Sequence, residues 1–313
     1  MSDLLDKQLA FVMGKGGVGR TTISYALGLA AAAAGKRAIV CEIASQERGS
    51  KLFGCPPIGF HETQMSEGLW AISLDPDRTI REYLEVQMPL PGMASILSRS
   101  NLFGYLAAAT PGLQEMVTMG KVWELALNER KSPDAERTYD IVIVDAPATG
   151  HGRALLQAPH AFRDLARAGP LADQASRIER TLANRSATGV AIVARAEEMA
   201  VNESIGLEAA LTAPGGGTEY SVDETYVNAV YPDRFSPAEL RDLARLEETL
   251  GKDTEAARPA LAAAGAAGAR ASAQAAQIAR LDEARCGDLK ELPFLFDEAI
   301  GPPQLTRLAE MLG

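Results

Sequence analysis

A glycine-rich segment at residues 14–22 limits, more than any other feature, what this chain can fold into. The apolar residues 9–13 before it predict a buried strand, and the proline-free, alanine-rich residues 22–34 after it predict a helix that stops at Gly35. This order favours a phosphate cradle, because glycines let backbone N–H groups turn inward and the helix N-terminus adds partial positive charge. A purely structural glycine turn is disfavoured by the flanking strand and helix. The predicted phosphate-contacting residues are Gly14, Lys15, Gly16, Gly17, Val18, Gly19, Arg20, Thr21 and Thr22.

Two positions of this loop bear directly on its chemistry. Thr21 stands where a Walker A motif places the hydroxyl that binds Mg²⁺. Arg20 stands where that motif has its lysine, and the exchange is not conservative, because a guanidinium is planar, bulkier and binds as a fork. We therefore expect nucleotide to bind in a shifted position.

The run DIVIVD at residues 140–145 is the clearest strand of the sequence, and it ends in Asp145. A carboxylate at the end of a parallel strand beside a phosphate loop can hold Mg²⁺ through water and sense the γ-phosphate. An aspartate at a strand end is common by itself, but the upstream loop and the glycine- and histidine-containing turn that follows favour this function. Thr21 and Asp145 are therefore the predicted metal ligands.

The remaining pattern alternates strands with helices, which predicts an α/β fold with a doubly wound, mostly parallel sheet flanked by helices, as in P-loop NTPases. We expect a single domain over residues 1–313, with a helical subdomain at roughly 79–135 and further helices over 152–187. Residues 213–221 are expected to form a loop, and 254–283 one long helix with a break near 265–268. The other predicted strands are residues 37–43, 70–74, 189–194, 225–230 and 289–294.

Composition narrows the classes of function. Apolar residues make up 47% of the chain, which is enough for a globular core, and the net charge of −10 disfavours a nucleic-acid surface. No apolar run approaches the roughly 20 residues of a membrane span, the first residues lack a signal-peptide pattern, and the three cysteines form no CxxC pair. We expect a cytoplasmic protein without an integral membrane segment, and leave peripheral membrane contact open.

Several segments together resemble the ArsA/Get (anion-transporting) ATPases, a family with a deviant Walker A motif that carries an early lysine, here Lys15. Residues 145–151 (DAPATGH) resemble that family's switch II, and residues 110–115 (TPGLQE) resemble the segment before its Walker B strand. Residues 196–203 (AEEMAVNE) resemble its strand-to-helix turn with two acidic positions. The similarity covers nearly the whole chain and is greatest to short bacterial ArsA-like ATPases that occur as paired subunits.

The resemblance implies roles for individual residues. Lys15 would reach across a homodimer, or a heterodimer with a paralogous ATPase, to the partner's nucleotide. Thr21 and Asp145 would place Mg²⁺, and ATP or ADP would be the ligand. Asn228 would contact adenine, and Pro293 would belong to the C-terminal loop that closes over the base.

Two departures from the family pattern bear on hydrolysis. Arg20 replaces the loop lysine, and Ala44 stands near the position of the aspartate that orients the attacking water; Glu42 or Glu47 is a substitute outside the family register. Loss of a positioned base costs about 10²–10⁴-fold in rate. Two hypotheses therefore stay open: a nucleotide-dependent dimeric switch for a client or partner protein, and a non-catalytic regulatory subunit beside an active paralogue. The catalytic candidates are Lys15, Arg20, Asp145 and Glu42.

A group of methionines in and near the helical region has two interpretations. Core packing is favoured over a hydrophobic groove for a client protein. The five residues are Met65, Met88, Met93, Met116 and Met119.

Overall fold

A computed structural model of the chain describes residues 3–43, 47–87, 112–127, 138–165, 170–213, 220–249, 256–285 and 288–313. In these ranges, eight strands form one sheet in the spatial order β3-β4-β2-β5-β1-β6-β7-β8. Neighbouring strands run parallel throughout, except that β3 is antiparallel to β4. The strands are β1 (Leu9–Gly14), β2 (Ala38–Glu42), β3 (Thr63–Ser66), β4 (Leu69–Ser73), β5 (Ile141–Asp145), β6 (Thr188–Arg195), β7 (Val222–Val230) and β8 (Asp288–Pro293).

Helices connect most of the parallel strands, and a short 3₁₀ helix at Asp3–Asp6 precedes β1. In the described residues the helices are α1 (Arg20–Ala33), α2 (Gly49–Phe53), α3 (Pro76–Gln87), α4 (Leu113–Leu125), α5 (Thr149–Leu165), α6 (Pro170–Ala183), α7 (Glu198–Thr212), α8 (Pro237–Thr249), α9 (Arg258–Ala284) and α10 (Pro302–Leu312). The predicted α/β fold with a mostly parallel, doubly wound sheet is confirmed.

Both faces of the sheet are covered, and the side chains of β1 show why its sequence is a continuous apolar run. Leu9, Phe11 and Met13 contribute to the core on one face, which also contains residues of α4, α5 and α6. Ala10 and Val12 alternate with them and pack on the other face, against α1 and α10. A parallel strand buried on both faces has no polar position, so its sequence lacks a two-residue period.

The methionines in and near the helical region lie in or against these cores as far as they are described. Met116 and Met119 of α4 are buried in the first core, and Met65 is partly buried against the second. The packing interpretation is confirmed for these three residues, and Met88 and Met93 lie outside the described residues.

Some elements differ from the sequence-based expectation. The antiparallel strand β3 and the five-residue helix α2 lie in segments without a periodic apolar pattern, and neither was predicted. Helix α9 runs without a break through residues 265–268, and Gly268 allows the side chain of Leu240 in α8 to approach the helix closely, since a Cβ atom there would lie 2.3 Å from it. Residues 214–219 of the predicted loop lie outside the described residues, and the helical subdomain near 79–135 stays a prediction.

Candidate functional site

The loop between β1 and α1 has the backbone that a phosphate cradle requires. Gly14, Gly17 and Gly19 have φ angles of 147°, 85° and 99°, in the region that favours glycine. A Cβ atom at Gly16 or Gly17 would meet no heavy atom within 4 Å, so this part of the loop faces open space. The first N–H groups of α1 have no partner within the helix, as at any helix start, and they are available to an anion.

Other positions of the loop are packed too closely for a side chain. A Cβ atom at Gly14 would lie 2.2 Å from the carbonyl oxygen of Val193 on β6, and one at Gly19 would lie 2.2 Å from Nδ2 of Asn228 on β7. One side of the loop is therefore packed against strands β6 and β7, while the side at Gly16 and Gly17 is open.

Thr21 and Asp145, the two predicted metal ligands, are in direct contact. The Thr21 hydroxyl donates a 2.6 Å hydrogen bond to Oδ2 of Asp145. Strands β1 and β5 are adjacent and place Asp145 opposite Val12, so the last residue of β5 lies beside the loop that follows β1. Burial raises the pKa of Asp145 to about 6, although the Thr21 hydrogen bond and the Arg20 charge act in the opposite direction.

Arg20 is directed towards the residue that follows Asp145. Its guanidinium donates a hydrogen bond to the carbonyl oxygen of Ala146, and burial lowers the pKa of Arg20 while Asp145 opposes that shift. A carbonyl acceptor in the first residue after β5 ties this side chain to the segment that resembles switch II. The sequence contained no signal for this contact, because the acceptor is a backbone atom.

Glu42 is buried, with 1% of its surface exposed, and its carboxylate is engaged with neighbouring groups. Oε1 accepts hydrogen bonds from the Tyr25 hydroxyl at 2.7 Å and the Gly49 amide at 2.8 Å, and Oε2 accepts one from the Arg48 amide at 2.7 Å. These bonds attach the start of α2 to β2 and α1. In this arrangement Glu42 anchors the segment after β2, and Ala44 lies outside the described residues.

Lys15 forms an ion pair for which the sequence contains no local signal. Its Nζ lies 2.9 Å from Oε1 of Glu203 on α7, and Oε2 of Glu203 accepts a 3.4 Å hydrogen bond from the Thr149 hydroxyl at the start of α5. Glu203 belongs to the acidic segment 196–203. Its contact with the loop is not visible in the sequence, because Lys15 and Glu203 are far apart along the chain.

The two residues expected near a nucleotide base lie on adjacent strands. Asn228 of β7 donates a 2.9 Å hydrogen bond from Nδ2 to the carbonyl oxygen of Val18, which brings it against the phosphate loop. Pro293 ends β8 and pairs in register with Val230 of β7. An aromatic cluster follows these strand ends, with ring centroids 4.6–5.6 Å apart: Tyr231, Phe294 and Phe296.

The donor groups around the loop fit a magnesium nucleotide. One hydroxyl and one carboxylate, Thr21 and Asp145, lie together at the helix start, and the described residues contain no group of three or more His, Cys, Asp or Glu side chains able to enclose a metal. Mg²⁺ is commonly bound this way, through one or two carboxylates with phosphate oxygens and water completing its shell. The loop amides and the open face at Gly16 and Gly17 suit the phosphates.

Along the ranges that the structure describes, no helix is both long and apolar enough to cross a membrane.

Comparison with known proteins gives the same family as the sequence motifs. The ATPase BagA of Mycobacterium tuberculosis is 28% identical over 271 residues, which cover 84% of this chain and 76% of the relative. ATPase get3 of Aspergillus terreus is 32% identical over 155 residues, 48% of this chain and 42% of the relative. The ATPase ASNA1 homolog 1 of Paramecium tetraurelia is 32% identical over 153 residues, 48% of this chain and 43% of the relative.

The family model for anion-transporting ATPases matches residues 7–168. This range contains the phosphate loop and Asp145, whereas Glu203, Asn228 and Pro293 lie beyond it. Since the match covers more than half of the 313 residues, the chain belongs to the anion-transporting ATPase family of the ArsA/Get type.

Proposed function

We propose that this chain binds Mg²⁺ with ATP or ADP and acts as a nucleotide-dependent dimeric switch for a client or partner protein. The observation that carries the proposal is the 2.6 Å contact between Thr21 and Asp145 beside an open glycine loop. A hydroxyl and a carboxylate at this position hold Mg²⁺ when nucleotide is bound, and the loop amides hold the phosphates. The three relatives named above are called ATPases, which supports the same ligand class.

The dimer is proposed from the position and charge of Lys15. Its side chain leaves the open part of the loop and remains 28% exposed, so the amine is accessible to a second subunit that faces the loop. A positioned cation of this kind contributes about 3–4 kcal/mol to a transition state that develops negative charge. Each subunit therefore gains a cation for its nucleotide from the other, which makes the dimer sensitive to nucleotide.

The non-catalytic regulatory subunit is retained as a second candidate because of Arg20. The guanidinium is engaged with the Ala146 carbonyl oxygen, and a planar fork does not replace the compact ammonium of a loop lysine. Glu42, a candidate for orienting water, already accepts three hydrogen bonds. In this second candidate the chain binds nucleotide, and its Lys15 serves the site of an active paralogue.

Nucleotide binding is tested by thermal unfolding and calorimetry with Mg-ATP, Mg-ADP and nucleotide plus a chelator. Ligand at 100 times its dissociation constant stabilises the fold by about 2.7 kcal/mol. We expect Thr21→Val to remove the part of the binding that requires Mg²⁺ and Thr21→Ser, the matched control, to keep it. Absence of binding to either nucleotide with Mg²⁺ contradicts the proposal.

Steady-state ATP hydrolysis separates the two candidates. Turnover by the isolated chain supports the switch. Turnover that requires a paralogous subunit, and that is lost when Lys15→Ala is introduced in this chain, supports the regulatory subunit.

A further inference from the structure

Glu203 lies where three parts of the site meet: the phosphate loop, the start of α5 and the second turn of α7. We propose that Glu203 is a positioning residue that holds Lys15 within its own subunit until nucleotide and a second subunit compete for the lysine. This inference rests on the proposed function, since the competing group is the nucleotide phosphate of the partner. It adds a regulatory contact that the family assignment does not contain.

Both carboxylate oxygens of Glu203 are used. Oε1 lies 2.9 Å from Nζ of Lys15, and Oε2 lies 3.4 Å from the Thr149 hydroxyl. The helix that carries Glu203 is anchored by its buried face, which includes Ala200, Val201 and Ser204. The backbone at Glu203 is therefore held in place, on the side of the helix that faces Lys15.

The exposure of the pair indicates a contact that can be exchanged. The side chains of Lys15 and Glu203 are 28% and 38% exposed, so water competes with the ion pair. A pair of this kind shifts an equilibrium by roughly 1.5- to fivefold. The polyanionic phosphates of a nucleotide present more charge to the same amine, so they can displace one carboxylate.

The Thr149 contact extends the effect to the segment after β5. Thr149 begins α5 and lies four residues beyond Asp145, in the segment that resembles switch II. When the Lys15 ion pair breaks, Glu203 keeps its hydrogen bond with Thr149. Glu203 then no longer connects the phosphate loop to the start of α5. Glu203 thereby couples the position of Lys15 to the segment that follows Asp145.

Amine acylation of the nucleotide-free protein, followed by mass spectrometry, tests the contact without relying on nucleotide or dimer. The reference is Lys51, an exposed lysine of the same chain. We expect Glu203→Gln to accelerate modification of Lys15 relative to Lys51 by about 1.5- to fivefold. The control Glu198→Gln, on the exposed side of the same helix, is expected to leave the ratio unchanged. An unchanged ratio in Glu203→Gln overturns the proposal, whatever the protein binds.

A double-mutant cycle on assembly tests the consequence. In Mg-ATP we expect Glu203→Gln to lower the dimer dissociation constant by roughly 1.5- to fivefold. The conservative variant Glu203→Asp is expected to have a dissociation constant nearer to the wild-type value. In the Lys15→Ala background, we expect Glu203→Gln to leave the dissociation constant unchanged. An equal effect in both backgrounds overturns the positioning role, because Glu203 then acts independently of Lys15. If acylation responds to Glu203→Gln but Mg-ATP produces neither binding nor a dimer, the contact stands and the proposed function fails.

Discussion

Glu42 and Asp145 pair in register across strands β2 and β5, each as the last residue of its strand. Adjacent strands are about 4.8 Å apart, so two acidic side chains end side by side at the edge of the sheet that carries the phosphate loop. Glu42 is satisfied by three hydrogen bonds from neutral donors, whereas Asp145 receives one from Thr21 and lies near the Arg20 charge. Burial, with a further contribution from Glu42, raises the pKa of Asp145.

The raised pKa of Asp145 predicts how stability depends on pH without nucleotide and Mg²⁺. The pKa of Asp145 is about 6 in the folded protein, while in the unfolded chain it returns to the ordinary aspartate value of 3.8, so wild type loses stability as pH rises between these values. The full effect is about 3 kcal/mol. We expect Asp145→Asn to gain in free energy of unfolding relative to wild type over this interval, measured by urea denaturation from pH 4 to 7. Asp282→Asn, on the exposed part of α9, is the control, and a pH-independent difference for Asp145→Asn contradicts the prediction.

Arg20→Lys is expected to increase ATP turnover. The substitution removes the fork that contacts the Ala146 carbonyl oxygen and restores a compact ammonium beside the proposed phosphate site. A correctly placed charge is worth about 10²–10³-fold in turnover, so we expect at least about a tenfold increase in the steady-state assay. The control is Arg153→Lys, the same substitution at an exposed position on α5, which we expect to leave turnover unchanged. Unchanged turnover in Arg20→Lys indicates that another residue limits hydrolysis.

Tyr25→Phe is expected to destabilise the fold more than Tyr220→Phe. Both hydroxyls are buried and donate 2.7 Å hydrogen bonds, to the carboxylate of Glu42 and to the carbonyl oxygen of Leu156 respectively. Hydrogen bonds to charged groups contribute about 1.5–3 kcal/mol and neutral ones about 0.5–1.5 kcal/mol. The difference is measured by urea denaturation at pH 7, and equal or reversed costs contradict the importance of the Glu42 anchor.

Met199→Asp is expected to weaken a dimer that forms across the phosphate loops. Met199 is 66% exposed and lies one helical turn before Glu203, so both residues are on the same side of α7. A charge placed into a packed interface should raise the dimer dissociation constant at least about tenfold. Met311→Asp, at a methionine of α10 that is 49% exposed, is the matched control. Equal effects of the two variants in sedimentation experiments contradict this interface.

The sequence predicts the parts of the fold that carry a strong local signal. Strand β5 and the connection from β1 through the loop to α1 are read from continuous apolar runs and glycine spacing. Strand β3 is short, polar and partly exposed, with the sequence TQMS, so it has no such signal and forms by pairing with β4. Helix α1 begins at Arg20, two residues before its predicted start, because Gly19 in its left-handed conformation precedes the first turn.

The sequence proposes residues for the candidate site but does not indicate their contacts. Thr21 and Asp145 are proposed from motif spacing, and their side chains are in contact in the structure. The Lys15–Glu203 ion pair joins a loop to a helix nearly two hundred residues later, and only tertiary packing determines it. Two of the three hydrogen bonds to Glu42 likewise come from backbone amides, which a sequence pattern does not distinguish.

The molecular mass of the chain in solution, measured by light scattering with and without Mg-ATP, tests the central claim most directly. We expect 33.2 kDa for the nucleotide-free subunit and twice that mass with Mg-ATP, or a heterodimer when a paralogous ATPase is supplied. Lys15→Ala should reduce the nucleotide-dependent fraction of dimer. A mass of 33.2 kDa under every condition, or a dimer indifferent to nucleotide, would contradict the account.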